Sequence, residues 1–562
     1  MARSFSASKI RRRRLRYVIR LMLIVGVIAA AGAHQAVARY LANDQPNDGK
    51  LYQLLATNLL VNGVFSADAE PPFTPTLIRL PGYPVFLAFI YRATDVGNNT
   101  AVREAQAALY TIACGIAALI AAEWTEDKKR LRRKAGWWTF FLGAFCPFTV
   151  IYSATILTEV DTILLFAVMV FAATSGLKTR RGSKAVAWWA AAGVVSGMAV
   201  MIRPDSGLFA LGIGLTIAAS VFWMHLELGF GRRVLYAVLQ GTIFSVCFAG
   251  VLLPWTIRNE MVFGVFQPLA PAHAEAPGEY VTIGYFHWLR TWIDDQRYIE
   301  PMLWNLEEKP IDYDKIPAKA FRNDDESSRV KALIEAYNTS DPELQKQAAA
   351  NVKSSDSDNG YSEENSTNSD GDEDPPPDEP PVDEAEQTYD LKITPENDAE
   401  FERIADERVS AGPFQYYVAL PVTRAVSMWF DTHSAYYPFS GELSPLKELD
   451  GETYQNVFLP IFTLLMWLYT IGAAIGAILL MLFRNKRSRL WLFLAIAVCV
   501  PRAAFFATLE NPEPRYFVEF FLVVFVLCGI LFSRFNLHKF NRGIAFEFFL
   551  PRKRAVSSET SL

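Results

Sequence analysis

The chain has 562 residues, 51% of them hydrophobic and 20% charged, with a positive mean hydropathy of +0.14. That balance excludes a string of soluble domains and describes a polytopic membrane protein. The formal net charge of −5 offers no overall basic surface for a nucleic acid, and it conceals a segregation of the two signs into different connecting segments.

A basic tail containing Arg11, Arg12, Arg13 and Arg14 precedes an apolar run at 17–38. The run is long enough to span and no small-residue cleavage site follows, so it is expected as a retained helix. Further apolar windows of membrane-spanning length fall near 103–123, 137–155, 158–176, 186–202, 207–226, 234–256, 456–483, 490–508 and 514–533. Basic clusters follow every even-numbered window: Lys128 to Lys134, Lys178 to Lys184, Arg232 and Arg233, Arg484 to Arg489, and Arg552 to Arg554. The positive-inside bias then puts both termini in the cytoplasm and the intervening loops outside.

The first outer loop, 39–102, carries Asp48-Gly-Lys-Leu-Tyr52, then Leu51, Leu54, Leu55, Asn58, Leu59 and Val61-Asn-Gly63 as a helical stripe with a glycine stop. This reads as a short helix on the membrane surface. Asp48, just before its first turn, suits an N-cap, and equally a general base facing an acceptor hydroxyl. Asp44 is the rival position, while Asp68 and Glu70 read as solvated loop charges. Arg79 opens Arg-Leu-Pro-Gly-Tyr83-Pro84, a rigid turn. Its guanidinium suits either snorkelling to head groups or holding a lipid phosphate.

Four more polar groups map to the outer ends of spans: Thr158-Glu159-Val-Asp161, Arg203-Pro204-Asp205, Trp255-Thr-Ile-Arg258-Asn259 and Glu510-Asn-Pro-Glu-Pro-Arg515-Tyr516. Interfacial anchoring is the ordinary role of Trp255 and Tyr516. Together, however, the arginines and carboxylates describe a cleft for an anionic lipid phosphate and a polar acceptor. In the large loop 257–455, His287-Trp288-Leu-Arg-Thr-Trp292 and Phe414 to Phe430 read as amphipathic helices lying at the interface or roofing the bundle. Ser354 to Asp390 is acidic and free of Lys and Arg, which predicts a disordered, solvated insertion at about 340–395. The domain boundaries expected are therefore 1–256, 257–455, 456–533 and a basic tail at 534–562.

Five cysteines lie inside apolar runs and suggest neither disulfides nor a metal site. The six histidines are scattered without ligand spacing, and there is no P-loop or G-x-G-x-x-G. Few charges fall within the spans, which argues against ion-coupled transport.

The order Asp48-x-x-x-Tyr52, Arg79-x-Pro-Gly-Tyr-Pro, Leu-Thr-Glu159, Ile-Arg203-Pro, Pro-Trp255-x-x-Arg-Asn259 with Phe263-Gly264, and Pro514-Arg515-Tyr516 resembles the bacterial membrane glycosyltransferases of the GT-C fold. These are relatives of the protein O-mannosyltransferases and of the lipid A aminoarabinose transferase. The resemblance covers about 17–270 and 456–533. It implies an all-α bundle of about ten transmembrane helices with periplasmic amphipathic helices, in the bacterial inner membrane. It further implies a polyprenyl-phosphate-linked sugar donor and a periplasmic acceptor that is a cell-envelope glycan, lipid or protein. The fold's catalytic aspartate maps to Asp48, although many relatives have Asp-Glu where this chain has Asp48-Gly49. Arg79, Arg203, Arg258 and Arg515 are the implied phosphate ligands. Glu159 and Asp161 are an acidic pair of the kind that binds a divalent cation in some members, although nothing in the sequence demands a metal. A flippase or transporter of lipid-linked saccharides would use the same cleft without an indispensable carboxylate.

Overall fold

A computed structural model describes residues 23–39, 47–125, 128–179, 182–271, 280–339, 391–430, 453–483 and 486–535. The basic N-terminal tail, Asp44, the acidic stretch Ser354 to Asp390 and the C-terminal basic cluster lie outside the described residues. Among the described residues the secondary structure is helical throughout.

The helices are α1 (Leu23–Arg39), α2 (Asn47–Thr57), α3 (Gly82–Ala93), α4 (Asn99–Trp124), α5 (Lys129–Ala144), α6 (Glu159–Lys178), α7 (Ser183–Ile202), α8 (Gly207–Trp223) and α9 (Phe230–Phe263). After these come α10 (Ile283–Arg290), α11 (Asp324–Asn338), α12 (Pro395–Ala411) and α13 (Leu420–Phe430). Three more complete the bundle: α14 (Thr453–Leu482), α15 (Lys486–Ala507) and α16 (Phe521–Phe532).

Among the described residues, eight helices are long and apolar enough to cross a membrane, and α5 with the bent segment Pro147–Ala154 makes a ninth. The 58° bend there follows from Pro147, which cannot continue the hydrogen-bond ladder of α5. Helix α1 supplies the tenth apolar segment, shorter over its described residues. It is packed into the bundle, where His34 is fully buried and bonds both Thr111 Oγ1, at 2.7 Å, and the Ala144 carbonyl, at 2.6 Å. The chain is therefore a multi-pass helical membrane protein, with a helix at each of the ten windows read from the sequence.

Alternating helix direction gathers the basic segments at one end. Glu123 at the end of α4 pairs with Arg132 at the start of α5 and with Lys178 at the end of α6. Lys134 donates to the Phe535 carbonyl beyond α16, at 2.9 Å. The start of α6 lies at the other end, and there the carboxylates and remaining arginines collect.

Small residues allow the close approaches that hold a bundle together where lipid supplies no hydrophobic drive. A Cβ on Gly193 would lie 2.3 Å from the Phe244 carbonyl, and one on Gly197 would lie 2.9 Å from the Phe248 carbonyl, which seats α7 on α9. Gly82 of the Arg79-to-Pro84 turn is equally constrained, since its Cβ would fall 2.5 Å from the Met201 carbonyl at the end of α7. Gly82→Ala is expected to cost about 1–3 kcal/mol through overpacking. It should lower the midpoint of thermal unfolding in detergent, and an unchanged midpoint would mean that α3 can back away from α7 freely.

Above the bundle sits a cap with its own core, built from α10, α11 and α12 around Trp288, Trp292, Leu333 and Phe401. Of the two positions expected for the aromatic run at 287–292, the membrane interface or a roof over the bundle, it takes the second as part of this cap. Trp288 and Trp292 are fully buried among cap residues, because α10 packs on α12 so closely that a Cβ on Gly284 would meet the Asp398 carbonyl at 2.0 Å. Helix α13 also roofs the bundle, with Met428 in the main core.

Candidate active site

Helix α2 starts at Asn47, so Asp48 stands inside its first turn and not ahead of it. Its carboxylate faces two guanidiniums. Arg79 Nη2 donates to Oδ1 at 2.8 Å, and Arg515 Nη1 and Nη2 both approach Oδ2 at 3.3 Å. The helix runs on through a wider turn, Asn58–Asn62, to Gly63, whose φ of 69° only glycine adopts without strain. Asn58 is buried there and donates to the carbonyls of Ser66 and Asp68, at 2.9 and 2.8 Å. Asp68 is not a loose loop charge, for it accepts from Thr74 Oγ1 and Ser66 Oγ, at 2.7 and 2.8 Å. These bonds fold the loop back and bring Arg79 over α2.

Burial opposes ionisation of Asp48, but Arg515 and Arg79 outweigh it and hold the carboxyl below its ordinary range. Tyr52, one turn on, is pushed up to about 12 by burial, with the Asp48 charge adding to the effect. Its ring meets Tyr83 edge-on at 5.1 Å. Tyr83 in turn donates to Gln106 Oε1 at 2.7 Å, and Gln106 Nε2 donates to the Thr155 carbonyl at 2.7 Å. One buried amide thus ties α3 and α4 to the strand of chain leading into α6, at whose first turn Glu159 and Asp161 complement the helix dipole.

Behind Asp48 runs a buried ionic network. Arg203 Nη1 reaches Glu159 Oε1 at 3.1 Å and Glu519 Oε1 at 3.3 Å, and its Nε donates to Asp205 Oδ1 at 3.2 Å. Arg502 donates from Nε to Asp205 Oδ2 at 2.7 Å, and from Nη1 to Glu519 Oε2 at 2.8 Å and to the Tyr516 carbonyl at 2.6 Å. Arg515 Nε pairs with Glu513 Oε2 at 2.5 Å, and Tyr516 OH donates to Glu513 Oε1 at 2.6 Å. The Arg203 guanidinium lies 5.5 Å from the centre of the Tyr516 ring, which joins the two halves.

Of the residues singled out from sequence, Asp48, Tyr52, Arg79, Tyr83, Glu159, Asp161, Arg203, Arg515 and Tyr516 meet at this end of the bundle. The other two, Arg258 and Asn259, are held by contacts outside the ionic network. Arg258 stacks over Trp255 and Phe263, at 4.8 and 5.0 Å, and donates to the Thr76 carbonyl at 3.1 Å. Asn259 donates to the Gln267 carbonyl at 2.6 Å, closing the turn after α9. Trp255 is itself buried against Phe65, so it packs rather than anchors at an interface.

Two central residues were missed. Arg502 and Glu519 are both fully buried, and each is a charge inside an apolar window. That placement is itself the signal, because a lone intramembrane charge demands a partner.

Glu159 and Asp161 stand two residues apart on the first turn of α6. Glu159 pairs with Arg203, and one oxygen of each carboxylate lacks a hydrogen-bond partner. Among the described residues, the grouping with metal-ligand proximity lies in the cap: His287, Glu402 and Asp406, with donor atoms within 4.8 Å of one another. The chain separation of His287 from the other two hid it from any spacing rule, and His287 Nδ1 already lies 3.0 Å from Glu402 Oε2.

Residues 56–267 match the family of dolichyl-phosphate-mannose-protein mannosyltransferases. The matched segment contains Arg79, Tyr83, Glu159, Asp161, Arg203, Arg258 and Asn259, and begins just after Asp48. The match bears out the resemblance drawn from the motifs, and with it the reading as a membrane glycosyltransferase. No curated protein matches the chain. Among solved structures, ArnT from Cupriavidus metallidurans bound to undecaprenyl phosphate overlaps 91% of this chain and 77% of its own, at 12% identity and a TM-score of 0.34. The Archaeoglobus fulgidus oligosaccharyltransferase AglB, in complex with an inhibitory peptide and a dolichol-phosphate, overlaps 91% of this chain and 50% of its own, at 13% identity and a TM-score of 0.42.

Proposed function

We propose that this protein moves a sugar from a polyprenyl-phosphate donor to a hydroxyl of a cell-envelope lipid, glycan or protein, with inversion, on the periplasmic side of the bacterial inner membrane. The observation that carries the proposal is Asp48 bridged between Arg79 and Arg515 at the end of the bundle opposite the basic segments. Asp48 takes the proton of the acceptor hydroxyl as its oxygen bonds the anomeric carbon. The bond from that carbon to the phosphate oxygen breaks, and polyprenyl phosphate departs with the electron pair.

Asp48 is a poor base while both its oxygens are held by cations. A donor phosphate offers Arg79 and Arg515 a second anion with matching geometry. Arg79 is the more easily re-aimed of the two, since its other hydrogen bond is to the neighbouring Ile78 carbonyl, whereas Arg515 stays anchored by Glu513. Donor binding thereby frees Asp48 at the moment it is needed, and the same guanidiniums stabilise the charge that grows on the leaving phosphate.

A pH signature follows. The base works ionised, and its folded pKa is depressed, so activity is lost only as pH falls through that depressed value. The acid limb of kcat/KM, which reports the free enzyme, is expected below the ordinary aspartate value of about 3.9. The limb of kcat, which reports the donor complex, is expected at higher pH. Arg79→Gln should raise the kcat/KM limb, and identical limbs in all three measurements would contradict the exchange of partners.

A further inference from the structure

The segment that delivers Arg515 to Asp48 is gripped by the cap. Arg290, the last residue of α10, donates from Nε to Glu510 Oε2 at 2.5 Å, and the Glu510 side chain is only 4% exposed. Arg424 on α13 is itself buried and spends its guanidinium on three carbonyls from two elements. It reaches Ile293 at 2.6 Å and Arg290 at 2.6 Å in the cap, and Ala507 at 3.3 Å at the end of α15. Between Ala507 and Arg515 the chain is short and stiffened by Pro512 and Pro514. Within it Asn511 Nδ2 donates to Glu513 Oε1 at 3.0 Å and to Tyr516 Oη at 3.1 Å, and Glu513 holds Arg515. These contacts, joined by the peptide link between Glu510 and Asn511, lead from α10 to Glu513, Arg515 and Asp48.

We infer that Arg290 and Glu510 are positioning residues that set Arg515, and through it the candidate base Asp48, so that the cap and the reaction centre act as one unit. Neither residue touches Asp48. The physical reason for the pair is that a Pro-bounded loop carrying a cation must be aimed from outside, and the Glu510 carboxylate gives the cap a handle on it. The catalytic half of the inference rests on the function proposed above; the mechanical half does not.

The test uses the full-length protein in lipid nanodiscs, with hydrogen exchange and steady-state transfer measured on the same samples. Arg290→Ala is expected to speed amide exchange across 508–516 and to lower kcat about tenfold with donor KM unchanged, a coupling of ordinary size. Glu510→Gln should do the same, the double variant should lose no more than either single one, and Arg290→Lys should restore part of kcat. A merely structural salt bridge would lower stability without the kcat-only loss or the saturation in the double variant. Unchanged exchange over 508–516 in both single variants, or losses that add in the double, would overturn the inference. Faster exchange in a protein that turns over no donor would instead retain the strut and remove the proposed function.

Discussion

Asp48→Asn is expected to insert and fold as the wild type and to lose about 10²–10⁴-fold in transfer rate, the usual contribution of a general base. Asparagine keeps the size and one acceptor oxygen but cannot take a proton. It also leaves Arg79 and Arg515 without the charge that now faces them, at 2.8 and 3.3 Å. Donor phosphate should therefore bind at least as tightly to the variant. A rate loss together with undiminished binding of polyprenyl phosphate is the expected pair of results. Retention of most activity would remove Asp48 from the role of base and return attention to Asp44.

Arg502→Met is expected to be the most damaging single change to stability, at about 3–5 kcal/mol, the usual cost of stripping one partner from a buried ionic cluster. Its side chain is fully buried, between Asp205 on one side and Glu519 on the other. Removing it leaves Asp205, Glu519 and Glu159 to share the one guanidinium of Arg203 in a buried site where an under-compensated charge is costly. Arg502→Lys should recover only part of the loss, because an ammonium cannot present the fork that now serves Asp205, Glu519 and the Tyr516 carbonyl together. Unfolding in detergent, followed by near-ultraviolet circular dichroism, reads the effect. Wild-type stability in the methionine variant would show that the carboxylates take protons and do without the arginine.

The helices were legible in the sequence because apolar windows of spanning length have few other meanings, and the alternation of basic segments gave their directions. The site was legible as a list, since polar residues at the outer ends of spans stand out against an apolar background. Its wiring was not. That Arg79 and Arg515 share one carboxylate, 31 and 467 residues away, is a matter of how α2, the first loop and the segment before α16 pack. Arg502 and Glu519 carried a visible signal, a charge inside an apolar window, and it pointed to each other. Arg258 shared the motif pattern with the other arginines, yet a cage of Phe65, Trp255 and Phe263 claims it, and no spacing rule separates a caged guanidinium from one in an ionic network. For the same reason the aromatic run of the cap left two readings open, an interfacial helix or a roof over the bundle. Trp288 and Trp292 have the composition of an interfacial helix, and only the close seat of Gly284 against α12 makes them a core.

The measurement that tests the central claim most directly is donor turnover by the purified protein in lipid. Polyprenyl-phosphate sugars would be supplied with cell-envelope extract as acceptor, and both released polyprenyl phosphate and transferred sugar would be counted. Equal amounts of the two, formed by the wild type and not by Asp48→Asn, are what this account predicts. Binding of the donor without release of polyprenyl phosphate, under any sugar tried, would contradict it and favour a protein that carries lipid-linked saccharides without cleaving them.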